Sequence, residues 1–338
     1  MAAAGVEILI PSSEMAVVGI TEVLPRLARI RNAARLLKRI LHASPPDLLI
    51  LLDYPEFNIH LAGHAHRLGI PILYYISPQV WAWRRGRIAK IARRVDHMAV
   101  ILPFEERLYS ETGLAVTYVG HPLMDGLGEA VGGRSEARQV LGLTNERPVL
   151  GLLPGSRDEE VENLLPAMLR AAEILQGCYP GLCCVVPVAS TLSTGRVDAL
   201  VGESGVRVFC RRDDMHRILP ACDCAIVASG TATLETAIHE VPLIIAYKVS
   251  PLSYRIGRTV IRVPFIGLVN LVAGREVAPE IIQAEATPSR LAFEIARILE
   301  DREHRRTMLR GLKEVRERLG KEGASRRTAE IVLRMLPG

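Results

Sequence analysis

Two doubly wound, Rossmann-like α/β domains facing a cleft are predicted by three features of this sequence. Short apolar runs rich in β-formers alternate with helical patterns along both halves of the chain. None of these runs shows the apolar–polar alternation of a half-solvated sheet, so they read as parallel strands buried on both faces. The 338 residues correspond to about two domains at roughly 150 residues each, and a glycine cluster lies near the middle of the chain.

In the first half the strand-like runs are 48–52, 70–75, 98–102 and 116–119. Gly126, Gly128, Gly132 and Gly133 then mark a flexible connection ahead of a helix at 135–141, which sets the boundary between a first domain, 1–133, and a second, 134–300. The second-half runs are 149–153, 183–188, 206–209, 225–228 and 243–247. From Asp301 onward a charged helical tail, 301–338, is interrupted at Gly320 and Gly323 and is expected to pack across domains or onto a partner subunit.

Composition narrows the function classes. The six cysteines lie in the second half, mostly within apolar runs and without C-x-x-C spacing, so they read as reduced core thiols of a cytosolic protein. The N-terminus has no basic segment followed by an apolar stretch, and no apolar run approaches the ~20 residues of a membrane span, so a soluble or peripheral protein is expected. Residues 26–94 carry 13 Lys and Arg against Asp47, Asp53 and Glu56, which favours an anionic partner. With 4% aromatics and no recognised nucleic-acid motif, nucleic acid is disfavoured.

Two strand-to-helix turns carry the clearest chemistry. After the strand at 149–153, Pro154-Gly155-Ser156-Arg157 opens a helix whose first turn holds Asp158, Glu159 and Glu160. Glycine lets the backbone approach a ligand, helix-start amides point at it, and Arg157 offers a fork of donors suited to phosphate. An ordinary turn with an arginine paired to nearby acids would look the same in isolation. The second turn, Ser229-Gly230-Thr231, follows the strand at 225–228 and opens a helix at 232–239 with Glu235 just over one turn in. It offers amides and hydroxyls to a diphosphate, and Glu235 is placed to accept from ribose hydroxyls. A capped helix with a solvated glutamate is the plainer reading. Both turns sit at C-terminal strand ends, where α/β sheets bind ligands.

Other nucleotide folds are disfavoured by their missing signatures: neither G-x-G-x-x-G nor G-x-x-x-x-G-K-[ST] occurs. There is no D-x-D pair to hold a divalent ion, so neither metal nor cofactor is expected, and leaving-group charge would fall to Arg157 and the helix starts. His60, His64 and His66 lack a nearby cysteine or carboxylate to complete a tetrahedral metal set.

Several segments together resemble the lipid-A-disaccharide synthase family. They are Met15-Ala-Val-Val-Gly-Ile-Thr-Glu-Val-Leu24, Asp53-Tyr-Pro-Glu-Phe-Asn58, Tyr75-Ile-Ser-Pro-Gln-Val-Trp-Ala-Trp83, Leu102-Pro-Phe-Glu105, Gly120-His-Pro122, Leu153-Pro-Gly-Ser-Arg157, Ala228-Ser-Gly-Thr-Ala-Thr-Leu-Glu235 and Val269-Asn-Leu-Val-Ala-Gly-Arg-Glu276. The tryptophan segment following the Asp-Tyr-Pro motif is the most specific. The resemblance implies an inverting glycosyltransferase of the glycosyltransferase B fold, which joins UDP-2,3-diacylglucosamine to 2,3-diacylglucosamine 1-phosphate and releases UDP. It also implies a homodimer with C-terminal helices crossing between subunits. Family members open with a further strand and a Gly-Glu-Ala-Ser-Gly-Asp loop, and this chain starts roughly 45 residues into that pattern. A misassigned start is the expected cause, because a parallel sheet without its central strand would expose apolar edges.

Inverting transfer to a sugar hydroxyl needs one general base. Asp53, at the end of the strand 48–52, suits that role by position and by resemblance, with Glu56 as the second candidate; Asp53 as the cap of the Tyr54-Pro55 turn is the plainer alternative. His121 would contact substrate phosphate or satisfy loop carbonyls. By resemblance, Asn270, Glu276 and Gln283 border the donor sugar.

The helix 26–41 sets Leu27, Ile30, Ala34, Leu37 and Leu41 on one face and six basic residues on the rest, just after an apolar segment containing Val17, Val18 and Ile20. Apolar surface beside dense basic charge fits an interfacial anchor, so a peripheral position on the cytoplasmic face of the inner membrane is expected. A sheet-packed helix with a solvated basic face fits the same pattern. A second basic run, with Arg84, Arg85 and Arg87, follows Trp81 and Trp83 and is a candidate for the acceptor phosphate. Two rival readings are a UDP-N-acetylglucosamine 2-epimerase-like enzyme and a truncated, inactive UDP-sugar-binding module.

Overall fold

The computed structural model describes residues 2–11, 23–83, 85–129, 133–143, 147–192, 194–212, 215–260 and 263–336. The first half starts with helix α1 (Val23–Ala43), then β1 (Leu49–Leu52), α2 (Pro55–Arg67) and β2 (Ile72–Tyr75). Two short helices, α3 (Val80–Trp83) and α4 (Ile88–Ala92), lead to β3 (His97–Val100), α5 (Glu105–Tyr109) and β4 (Ala115–Tyr118). These four strands form a parallel sheet in the order β1-β2-β3-β4. The order runs in one direction only among the described strands.

The second half begins with α6 (Gly133–Leu141) and continues through β5 (Val149–Leu153), α7 (Asp158–Cys178), β6 (Cys183–Val188), α8 (Thr194–Gly202) and β7 (Val208–Arg212). It goes on through α9 (Met215–Ala221), β8 (Cys224–Ala228), α10 (Thr231–Ile238), β9 (Leu243–Tyr247), α11 (Pro251–Val260), α12 (Leu268–Ala273) and β10 (Glu280–Ile282). Helices α13 (Pro288–Glu300), α14 (Arg302–Arg318) and α15 (Ala324–Met335) close the chain. The second sheet is parallel in the order β10-β9-β8-β5-β6-β7, so its winding reverses between β5 and β8. Those two strands are buried along their whole length, as their unbroken apolar sequences require.

The strand β7 runs three residues beyond the expected run, through Cys210 into Arg211 and Arg212, which pair with Val186, Pro187 and Val188 of β6. The strand β10 gave no sequence signal, being three residues long and at the sheet edge. In the first sheet β1 is an edge strand among the described strands, and Ile50 and Leu52 are 49% and 43% exposed.

The described start of the glycine-rich connection is regular. Pro122–Glu129 forms a 3-10 turn, and the Asp125 carboxylate accepts from the amides of Gly323, Ala324 and Ser325 at 2.6, 3.0 and 3.0 Å. Although partial burial opposes it, these bonds with the Ser325 hydroxyl hold the Asp125 carboxyl below its usual range. An aspartate nearly 200 residues upstream thus caps α15. The tail returns to the first sheet of the same chain, where Ile331 is buried with Leu73, Ala99 and Val119. The other face of that sheet packs against residues of α2, including Ile59, Leu61 and Ala65.

Candidate active site

In an open α/β sheet, ligands bind beyond the C-terminal strand ends where the winding reverses. Here that point lies between β5 and β8, and each strand feeds a helix through a short turn. Neither α7 nor α10 has a side-chain N-cap: Arg157 and Gly230 stand at the cap positions without such a bond. First-turn amides and the positive end of each helix dipole are left to meet an anion.

Between the two helix starts lies a cavity of about 330 Å³. Gly155, Ser156, Arg157, Ser229, Gly230, Thr231 and Glu235 all line it, so tertiary folding brings together two loops more than 70 residues apart. The opposite wall is largely apolar, formed by Pro187, Val188 and Ala189 at the end of β6 and Met215 at the start of α9. Anionic donors on one side and hydrocarbon on the other suit a phosphorylated ligand with a planar apolar group.

Gly155 has φ of +114°, and a Cβ there would collide with the Glu160 side chain. Glu160 is the nearby acid with which Arg157 pairs. Its Oε2 accepts from the Ser156 amide and its Oε1 from the Arg157 guanidinium, both at 3.0 Å. A carboxylate therefore rests on the donors expected to meet phosphate, the pairing that an ordinary turn with an arginine beside acids would also make. The signal was present as an acid four residues after Ser156. Ser229 donates its hydroxyl to the Ile266 carbonyl at 2.8 Å, so only its lone pairs face a ligand. Burial raises the pKa of Glu235, with the nearby His216 pulling it down.

Three expected donor-sugar residues lie outside this cavity lining. Asn270 is fully buried, and its amide donates to the Ala278 carbonyl and to Glu280 while its oxygen accepts from the amides of Val277 and Ala278. All its hydrogen-bonding capacity goes to the loop after α12. Gln283 is likewise engaged: Oε1 accepts from the Val249 amide at 2.7 Å and Nε2 donates to the Val249 carbonyl at 2.9 Å. Glu276 is exposed on the loop between α12 and β10.

In the first half, Asp53 follows β1 with its side chain exposed and its backbone in the left-handed region, φ +45°. Tyr54 shares that conformation at φ +43°, and Ile76, just beyond the neighbouring strand β2, has φ +66°. Such geometry is costly for a large or β-branched residue and clusters at functional sites. The Asp53 carbonyl is pinned by Asn58 Nδ2 and the Tyr74 hydroxyl, both at 2.7 Å. Burial, with the charge of Asp53 adding to it, raises the Tyr74 pKa and keeps that phenol a donor. Asn58 closes the Asp53–Asn58 motif in the sequence, where it carried no role of its own.

Glu56 is engaged otherwise: Arg87 donates to both of its oxygens at 2.6 and 2.9 Å. This pair spends the charge of Arg87 within the protein. Arg94 of the same basic run donates to the Ile59 carbonyl at 2.8 Å. Trp81 is packed inside the protein. It is 4% exposed, lies edge-on to Phe104 at 5.1 Å and donates to Glu105 at 3.2 Å. Burial pushes the Glu105 carboxyl up to about 7 despite bonds from Leu102 and Trp81.

His121 is also buried, which lowers its pKa to about 4, and its Nδ1 accepts from the Leu123 amide at 3.2 Å. A neutral imidazole used this way supplies no charge to a phosphate; it shapes its own turn. Trp83 ends α3 and Arg85 begins the following 3-10 turn, while Arg84, Val17, Val18 and Ile20 lie outside the described residues. Among the described residues no group of three or more His, Cys, Asp and Glu is placed to hold a metal.

Solved structures with a similar fold include a UDP-GlcNAc 2-epimerase from Neisseria meningitidis bound to UDP-GlcNAc. It is 12% identical with a TM-score of 0.60, and the match covers 90% of this chain and 81% of that one. A putative UDP-N-acetylglucosamine 2-epimerase from Listeria monocytogenes gives a TM-score of 0.59 at 12% identity, covering 94% of this chain and 81% of that one. At such identity the likeness concerns the fold alone. Sequence relatives are nearer. Lipid-A-disaccharide synthase of Geobacter metallireducens is 49% identical over 336 residues, 99% of this chain and 87% of the relative. That of Myxococcus xanthus is 44% identical over 337 residues, 100% of this chain and 88% of the relative. The family model described as lipid-A-disaccharide synthetase matches residues 1–334, and the chain belongs to that family.

Proposed function

We propose that this protein is an inverting glycosyltransferase that joins UDP-2,3-diacylglucosamine to 2,3-diacylglucosamine 1-phosphate. The observation that carries the reading is the cavity in which two uncapped helix starts, Arg157 and Glu235 converge. The diphosphate lies on the amides of Ser156, Gly230 and Thr231 and on Arg157, displacing the Glu160 carboxylate. Glu235 accepts from the ribose, and the base rests against Pro187, Val188 and Met215.

Asp53 takes the proton of the acceptor 6-hydroxyl as its oxygen attacks the donor anomeric carbon. The anomeric carbon–phosphate oxygen bond breaks, and its electron pair leaves with UDP. Arg157 and the helix starts stabilise that charge. The products are UDP and a β-1,6-linked disaccharide 1-phosphate.

A lipid acceptor must be drawn from a bilayer, so we place the enzyme on the cytoplasmic face of the inner membrane, held by the basic helix α1. No described helix is long and apolar enough to cross a membrane. We also propose a homodimer in which α15 exchanges between subunits, replacing the contact it makes with its own first sheet. A monomer by light scattering would remove that part.

The activity is tested by incubating the protein with the UDP-diacyl donor and the monosaccharide acceptor and reading products by mass spectrometry. The expected product is the disaccharide with one UDP. An epimerised UDP-sugar would favour the epimerase reading, and unchanged substrates a binding module.

A further inference from the structure

A second and larger cavity, about 630 Å³, lies between α1 and α2. Much of its lining is hydrocarbon: Ile30 and Ala34 from α1, with Pro55, Phe57 and Leu61 from α2. Arg31, Arg35 and Lys38 also line it, spaced so that they share one face of α1. Among the described residues no carboxylate pairs with any of these three, and Arg35 bonds only the neutral Asn32 side chain. Glu56, an acid in the lining, is already held by Arg87.

The cavity also abuts the reaction site. Tyr54 and Pro55 belong both to its wall and to the strained turn that presents Asp53. Hydrocarbon walls beside three cations fit an anionic amphiphile, with its chain inside and its charged head on the basic residues. A free nucleotide would leave its polar edges against hydrocarbon, and an acidic peptide would leave the interior unfilled.

We propose that this cavity is the acyl-chain subsite for the phosphorylated acceptor, with Arg31, Arg35 and Lys38 receiving the acceptor phosphate. The proposal rests on the reaction given above and names where its second substrate is held.

The test uses 1-phosphorylated glucosamine acceptors whose acyl chains lengthen stepwise, each kept below its aggregation threshold so that no bilayer is present. In the wild type the acceptor KM should fall by up to about fourfold per added methylene. Ala34→Trp fills the cavity and should flatten that dependence, raising KM at least ~10-fold for the longest chain while kcat and UDP affinity stay unchanged. Arg31→Gln with Lys38→Gln should raise KM for the phosphorylated acceptor and leave its 1-hydroxyl counterpart alone. UDP affinity and the melting curve report whether each variant is folded; Ala34→Leu replaces the tryptophan variant if that one is not.

A filled cavity that keeps the wild-type chain-length dependence overturns the proposal. So does a variant that loses only its binding to anionic vesicles, which would assign the cavity to a membrane lipid. If the wild type forms no disaccharide with any acceptor, the reaction itself is wrong, an outcome distinct from failure of the cavity variants alone.

Discussion

Asn58 donates through Nδ2 to the carbonyl of Asp53 at 2.7 Å and to that of Leu52 at 2.9 Å. With the Tyr74 hydroxyl on the same Asp53 carbonyl, the amide holds an aspartate in a left-handed conformation it would not keep unaided. Asn58→Ala should therefore lower kcat roughly 10- to 100-fold through misplacement of the base. It should also cost about 1–3 kcal/mol of stability through the unpaired carbonyls. UDP affinity, set on the other sheet, should not move. Steady-state kinetics, calorimetry and UDP titration read these separately, and wild-type kcat in a destabilised variant would make Asn58 a folding residue only.

Asp53→Asn should fold, bind UDP normally and lose turnover by at least ~100-fold. Glu56→Gln should keep most activity, because both oxygens of that carboxylate are already engaged by Arg87. The opposite ranking of the two variants would move the base to Glu56.

Gly155→Ala sets a Cβ against Glu160 at a backbone angle that disfavours any L side chain. The loop must then shift, and strain of about 1–3 kcal/mol at this position should weaken UDP binding by roughly 5- to 100-fold in a titration. Unchanged affinity would mean that this turn does not touch the diphosphate.

Glu105 makes a pH-dependent prediction. Its folded pKa, about 7, lies above the ordinary value of 4.5, so the folded state binds the proton more tightly than the unfolded state does. Stability should fall as pH rises from about 4.5 through about 7 and level off above, by roughly 3 kcal/mol at most. Glu105→Gln keeps an acceptor for Trp81 and removes the titration, so melting temperatures measured across that range should lose this slope. A slope unchanged in the variant would assign it to another group.

Asn270→Ala should leave amides of Val277 and Ala278 unpaired and cost about 2–4 kcal/mol by denaturant titration. The folded fraction should still bind UDP normally. A selective loss of UDP affinity without destabilisation would return Asn270 to the donor site.

Periodicity and turn chemistry are local properties, and local reasoning reached what depends on them. The runs at 183–188 and 243–247 are strands as expected, because buried parallel strands need continuous apolar sequence whatever their neighbours. Gly155 and Ser229-Gly230-Thr231 were legible for the same reason: a chain that must turn sharply into a helix needs those residue types in that order. The tertiary structure decided which polar side chains face a ligand and which are consumed inside. Asn270, Trp81 and His121 each meet a protein partner inside the fold. Asp125 looked like part of a linker until its carboxylate met the amides of α15 nearly 200 residues later. Such pairings depend on where distant segments come together, and sequence spacing carries no record of that.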